Sequence, residues 1–244
     1  MTARPALARR ALAEFLGTGL LVTVVVGSGI AAQRLSADVG LQLLENSTAT
    51  VFGLAVLILL LGPVSGAHFN PVVSVADAIL GRRTRTGLPG RDLAVYIVAQ
   101  VAGGIGGAVL ANLMFQIPTA ISITERVTAG TLLGEVVATA GLVLLITGLT
   151  RAGQTLPVIA AAVGAYIGAA YWFTSSTSFA NPAVTIGRVF TDTFAGIAHT
   201  SVLPFLAAQI LGAAIGVAAA VVLFTPSAPV GSHPAAAVSK ETLA

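Results

Sequence analysis

A chain of 244 residues that is 56% hydrophobic, 9% charged and has a mean hydropathy of +0.95 stands apart from soluble domains, where roughly a quarter of residues are charged. Its 12 basic residues give a net charge of +3, yet they lie scattered between apolar stretches and form no single basic face, which argues against nucleic acid as a partner. The absence of cysteine excludes disulfide frameworks, thiol catalysis and cysteine-bound metals.

Six stretches reach the roughly 20 apolar residues needed to cross a ~30 Å hydrocarbon core. The first, at about residues 11–32, is preceded by Arg4, Arg9 and Arg10 and contains an acidic residue, Glu14. It is longer than the apolar region of a signal peptide and reads as a spanning helix. The second covers about 47–65. A shorter apolar segment, 71–80, follows Asn70 and opens on Pro71, with His68 two residues upstream. Arg82, Arg83, Arg85 and Arg91 separate it from the third span, 92–115, which holds Gln100. The fourth, 129–150, carries Glu135, and Arg151 divides it from the fifth, 156–174. A second short segment, 182–190, follows Asn181 and opens on Pro182. The sixth span, 199–224, holds Gln209, and a Pro-, Ala- and Ser-rich tail at 226–244 reads as disordered.

Basic residues favour the cytoplasmic side of a membrane. If each short segment enters and leaves on one side, Arg4, Arg9, Arg10, Arg82, Arg83, Arg85, Arg91, Arg151 and Lys240 share a side, against Arg34, Arg126 and Arg188. That distribution predicts a multi-pass protein with both termini in the cytoplasm, and the use of Arg over Lys, 11 to 1, points to a bacterial genome and hence the cell (inner) membrane.

The chain also repeats itself. Glu14 and Glu135, Asn70-Pro71 and Asn181-Pro182, and Gln100 and Gln209, each Gln followed by glycines, occur in the same order. The copies span about 11–115 and 129–224 within a single domain, 1–225. Each holds three spans, an odd number, so the second copy is inverted in the membrane. Inverted repeats with short helices at matched places point to a transport site near the midplane.

Asn is a favoured N-cap and Pro a favoured first helical residue, so each Asn-Pro pair reads as a helix start. Two half-helices meeting head to head bring two positive dipole ends, each about half an elementary charge, to one point. Such a point repels cations. Each Asn is then expected to cap its own helix through oxygen and to offer its amide N–H to a passing solute.

The segments Ser65-Gly66-Ala67-His68-Phe69-Asn70-Pro71-Val72-Val73 and Phe179-Ala180-Asn181-Pro182-Ala183-Val184 resemble the paired Asn-Pro-Ala signatures of the aquaporin (major intrinsic protein) family. The resemblance spans about residues 11–224. It implies an all-α membrane protein of six transmembrane helices and two re-entrant half-helices, one pore per subunit and usually a homotetramer. It also implies that Glu14 and Glu135 brace the re-entrant loops through backbone N–H bonds, with Gln100 and Gln209 in the same role, and that His68 lines the cytoplasmic half of the pore. Val72 stands where the family has Ala and is expected to crowd the mid-pore slightly.

Selectivity in this family is set near the outer mouth. Counting without gaps from the two Asn residues places the four filter positions at Thr50, Ala169, Ser178 and Val184. Water-specific members resemble Phe, His, a small residue and Arg at these places. The substitutions imply a wide, uncharged ring with hydroxyls at Thr50 and Ser178, similar to that of arsenite-permeable bacterial aquaporins. The expected solutes are metalloid hydroxides such as arsenite, with glycerol and water. An ordinary water or glycerol channel is the alternative, with an ion-coupled secondary transporter further behind. Arg188, four residues after Val184, has two readings: an interfacial Arg snorkelling to the surface, the ordinary one, or a guanidinium leaning back to restore the missing cation. Asp77, its counterpart in the repeat, is expected to pair with Arg82, Arg83 or Arg85.

No cofactor or metal is expected, since His68, His199 and His233 lie far apart without an acidic cluster. Serines such as Ser175 and Ser176 lack the positioned base of a nucleophile. The chain reads as a channel in a lipid bilayer and not as an enzyme.

Overall fold

The computed structural model describes residues 4–82, 84 and 86–224, and the 226–244 tail lies outside them. Regular structure among the described residues is helical: α1 (Leu7–Leu35), α2 (Val39–Ser65), α3 (Pro71–Leu80), α4 (Gly90–Met114), α5 (Ala129–Arg151), α6 (Leu156–Phe173), α7 (Pro182–Gly187) and α8 (His199–Leu223), with a 3-10 turn at Arg188–Phe190 after α7. Six are long and apolar enough to cross a membrane; α3 and α7 are the two short ones. Outward faces carry large apolar side chains such as Leu60, Leu203 and Val222, suiting a lipid solvent that leaves no backbone group to hydrate.

Helix ends follow local chemistry. Asp38 accepts the Leu41 N–H at 2.9 Å and starts α2 at Val39, eight residues before the apolar run at 47. The first turns, with Gln42, Glu45 and Asn46, are too polar for a hydrophobicity criterion to include. Thr128 and Thr131 form a reciprocal capping box at α5. The Glu125 carboxylate accepts the Thr200 and Ser201 hydroxyls in the first turn of α8. These bonds hold its pKa below the ordinary carboxylate range.

The inverted repeat appears as matched packing, α1 on α4 and α5 on α8. Glycine makes both crossings backbone-close. A Cβ at Gly103 would sit 2.2 Å from the Phe15 carbonyl oxygen, and one at Gly107 2.1 Å from that of Gly19. In the other half, a Cβ at Gly212 would sit 2.5 Å from the Val136 carbonyl oxygen and one at Gly216 2.6 Å from that of Ala140. Small residues are what permit such approaches between membrane helices. Gly107→Ala is therefore expected to cost about 1–3 kcal/mol by overpacking, read as a lower unfolding temperature in detergent.

Candidate functional site

The loops that deliver α3 and α7 share one unusual backbone path. Gly66, Ala67 and Phe69 have φ of 93°, 51° and 49°; Thr177, Ser178 and Ala180, at the same distances from their Asn, have 59°, 51° and 46°. Five of the six carry side chains, each at a cost of roughly 1–3 kcal/mol in the left-handed region, so the loops must be held from outside.

They are held by two carboxylates. Glu14 accepts the N–H of His68 at 3.0 Å and of Phe69 at 2.7 Å, the Ser65 hydroxyl at 2.6 Å and the Gln100 amide at 2.8 Å. Glu135 accepts the N–H of Phe179 and Ala180, both at 2.8 Å, and the Gln209 amide at 2.7 Å. Gln100 and Gln209 also donate to the Ser74 and Thr185 hydroxyls, each at 2.9 Å, one turn into the half-helices. All four bracing side chains are fully buried.

So guided, the two helix starts meet. The Asn70 side-chain oxygen caps α3 at Val72 N–H, 3.1 Å, and that of Asn181 caps α7 at Ala183 and Val184, 3.0 and 3.3 Å. One bond per Asn was not foreseen from sequence. Asn70 Nδ2 donates to the Ala180 carbonyl, and Asn181 Nδ2 to the Phe69 carbonyl, each at 2.8 Å. Each amide keeps one further N–H for the lumen, since the NH2 group carries two donors.

A cavity of about 960 Å³ runs past this cross-tie. Asp77, Thr84 and Arg151 border it beyond α3; Asn70 and Asn181 border its middle; Thr50, Tyr171, Ser178, Val184 and Arg188 border it toward the end of α7. His68 borders it too, its Nδ1 3.0 Å from the Ser74 hydroxyl and its ring edge-on to Tyr96.

Several expected positions lie elsewhere. Ala169 is on the exposed face of α6, whereas Val163, Ile167 and Tyr171 face the cavity. Two residues turn a helix by about 200°, so a gapless count that misses by two lands on the opposite side. Tyr171 occupies this part of the wall, its hydroxyl 3.1 Å from that of Thr50, which also donates to the Asn46 carbonyl at 2.8 Å. The signal for Tyr171 was the three-to-four spacing of Val163, Ile167 and Tyr171 itself. Val72 does not crowd the lumen: it packs with Ala76, Val143 and Ala213, and Val73 borders the cavity instead. Pro71, Pro182 and Ala183 are buried parts of the half-helices. Asp77 accepts the Leu88 N–H at 2.8 Å. It forms no ion pair with Arg82 among the described residues, and Arg83 and Arg85 lie outside them.

Arg188 corrects the expectation of an interfacial anchor. It is 4% exposed, borders the cavity, donates through Nε to the Ala195 carbonyl, and stacks with Cζ 3.5 Å from the centre of the Phe179 ring. The ring of residues at this mouth is therefore not uncharged. Ser178 adds a buried hydroxyl with no partner among the described residues. No cluster of three or more potential metal ligands occurs among those residues.

A family model described as Major intrinsic protein matches residues 1–176. The aquaglyceroporin AqpS of Rhizobium meliloti is 49% identical over 226 residues, 92% of this chain and 94% of that protein. The glycerol uptake facilitator protein of Pseudomonas aeruginosa is 39% identical over 112 residues, covering 46% of this chain and 38% of its own. The X-ray structure of the aquaglyceroporin from Plasmodium falciparum superposes with a TM-score of 0.66, covering 88% of this chain and 95% of that one; at 22% identity the likeness is one of fold.

Proposed function

This chain belongs to the major intrinsic protein family of membrane channels, and from that premise we propose that it passes small uncharged solutes: metalloid hydroxides such as arsenite, glycerol and water. The observation that carries this reading is the α7-end mouth, where Val184 and Ser178 border the lumen beside the Thr50–Tyr171 hydroxyl pair. Aliphatic wall and hydroxyl groups suit a polyol or a neutral hydroxide, which needs both an apolar surface and hydrogen-bond partners. The names of the Rhizobium and Pseudomonas relatives support glycerol.

Charge is rejected in the middle. Two capped helix starts and two Asn amide donors face the lumen, and positive dipole ends disfavour cations and protons. Ion coupling finds little support, because both buried carboxylates already accept from the loops. The excess of basic residues in the sequence segments flanking the termini and following α3 supports termini in the cytoplasm. The α3-end mouth then opens inward and the Val184 mouth outward. A homotetramer is the family's usual assembly.

Proteoliposome uptake tests the solute class. Glycerol and arsenite are expected to enter alongside water; fast water entry with neither would overturn the assignment. Thr50→Trp, which places an indole in the cavity wall that Val184 shares, is expected to reduce glycerol and arsenite entry to near the rate of empty vesicles. A variant with full flux would remove Thr50 from the constriction.

A further inference from the structure

We propose that Arg188 supplies the cation of the Val184 mouth from one turn further along the chain, and that its free Nη groups make it a specificity-determining residue. The inference rests on the channel reading above and deepens it.

The backbone sets the geometry. α7 ends at Gly187, and Arg188, with φ −71° and ψ −7°, opens the 3-10 turn. Its side chain lies over Phe179, whose own position is pinned by its N–H on Glu135 at 2.8 Å and by edge-on packing against Phe205 at 5.2 Å between ring centres. A guanidinium within about 6 Å of an aromatic face is held by the ring quadrupole.

The donors then divide. A guanidinium has five N–H groups. In Arg188 the Nε group is taken by the Ala195 carbonyl, while the Nη groups make no hydrogen bond among the described residues. Yet the side chain is buried and borders the cavity. Burying unsatisfied donors is costly, so the lumen's water or solute is the partner left to them.

Arg126 shows the contrast. It approaches the same ring at 5.4 Å, but donates through Nε to Gly196 at 2.6 Å and through Nη2 to Phe194 at 2.8 Å. Three successive carbonyls, at residues 194–196, thus accept from two guanidiniums. Arg126 is consumed in fixing that segment and does not border the cavity. Arg188 is tethered at one point and keeps an open edge. Neither has a carboxylate partner among the described residues, so the positive charge stays uncancelled beside the lumen.

The test compares urea with the guanidinium ion, two planar solutes of similar size that differ by one charge, in proteoliposomes of the full chain. Wild type is expected to pass urea and exclude guanidinium. Arg188→Met keeps bulk on the Phe179 ring without charge and should raise the guanidinium-to-urea flux ratio about tenfold or more, as expected for removing a unit charge a few ångströms from the path. Arg188→Lys should leave the ratio near that of wild type. Arg188→Met with normal urea flux and an unchanged ratio overturns the proposal. Should the Met variant fail to fold, Arg188→Gln, which keeps a polar side chain without charge, decides: a raised ratio supports the proposal, and retained exclusion overturns it. A wild-type protein that conducts none of urea, glycerol and water would count against the channel reading itself.

Discussion

Val184→Arg is expected to close the pore to glycerol and arsenite while water continues to pass. Val184 is 5% exposed and borders the lumen one turn before Arg188. A long side chain there must enter the cavity, because α7 packs its other sides against α4 and α8. It would bring a second guanidinium beside Arg188, and two unit charges about 5 Å apart repel by roughly 3 kcal/mol at an effective dielectric near 20. The side chains would therefore spread across the opening. Added barriers of even about 1.4 kcal/mol slow passage tenfold, so a fall of that size or more is expected for both larger solutes. Paired stopped-flow traces for water, glycerol and arsenite check it. Equal glycerol entry in variant and wild type would mean that the Val184 ring is not where solutes are selected.

Glu14→Ala is expected to cost the channel most of its stability. The carboxylate accepts from His68 and Phe69 N–H, the Ser65 hydroxyl and the Gln100 amide. Ser65 and Gln100 can turn toward other acceptors, but the two backbone donors cannot. Each buried donor left unmatched costs about 1–3 kcal/mol, against a total stability of about 5–15 kcal/mol. The left-handed residues Ala67 and Phe69 would also lose the restraint that keeps α3 re-entrant. Glu14→Gln retains one acceptor oxygen and should fall between wild type and Ala. Thermal unfolding in detergent measures the order. An Ala variant as stable as wild type would show that the loop is braced elsewhere.

Much of the fold could be read from residues. Apolar length located six spans, and Asn-Pro located both half-helices, with α3 spanning Pro71–Leu80 where the short apolar segment was expected. Matched order of Glu, Asn-Pro and Gln revealed the inversion, because each residue type does the same structural work in both halves. What stayed hidden had physical reasons. The polar start of α2 carries no hydrophobic signal. Ala67, Phe69, Ser178 and Ala180 adopt glycine-like φ without being glycine, since the restraint comes from carboxylates at least 43 positions away in the chain. The reciprocal bonds from Asn70 to Ala180 and from Asn181 to Phe69 join loops from opposite halves, which no local pattern encodes. Ala169 failed on helical phase: it is exposed while Tyr171, two residues on, borders the cavity, and the register is settled by how α6 packs on α2. Arg188 was legible as a charge out of place, but its stack on Phe179 depended on a loop path that sequence does not specify.

In a passive channel, solute crosses by diffusion along the lumen. The most direct measurement is the initial rate of glycerol entry into proteoliposomes as its gradient is raised, with and without imposed sodium and proton gradients. A rate that rises in proportion to the gradient and ignores both ions is predicted. A rate that saturates and follows either ion gradient would contradict the account.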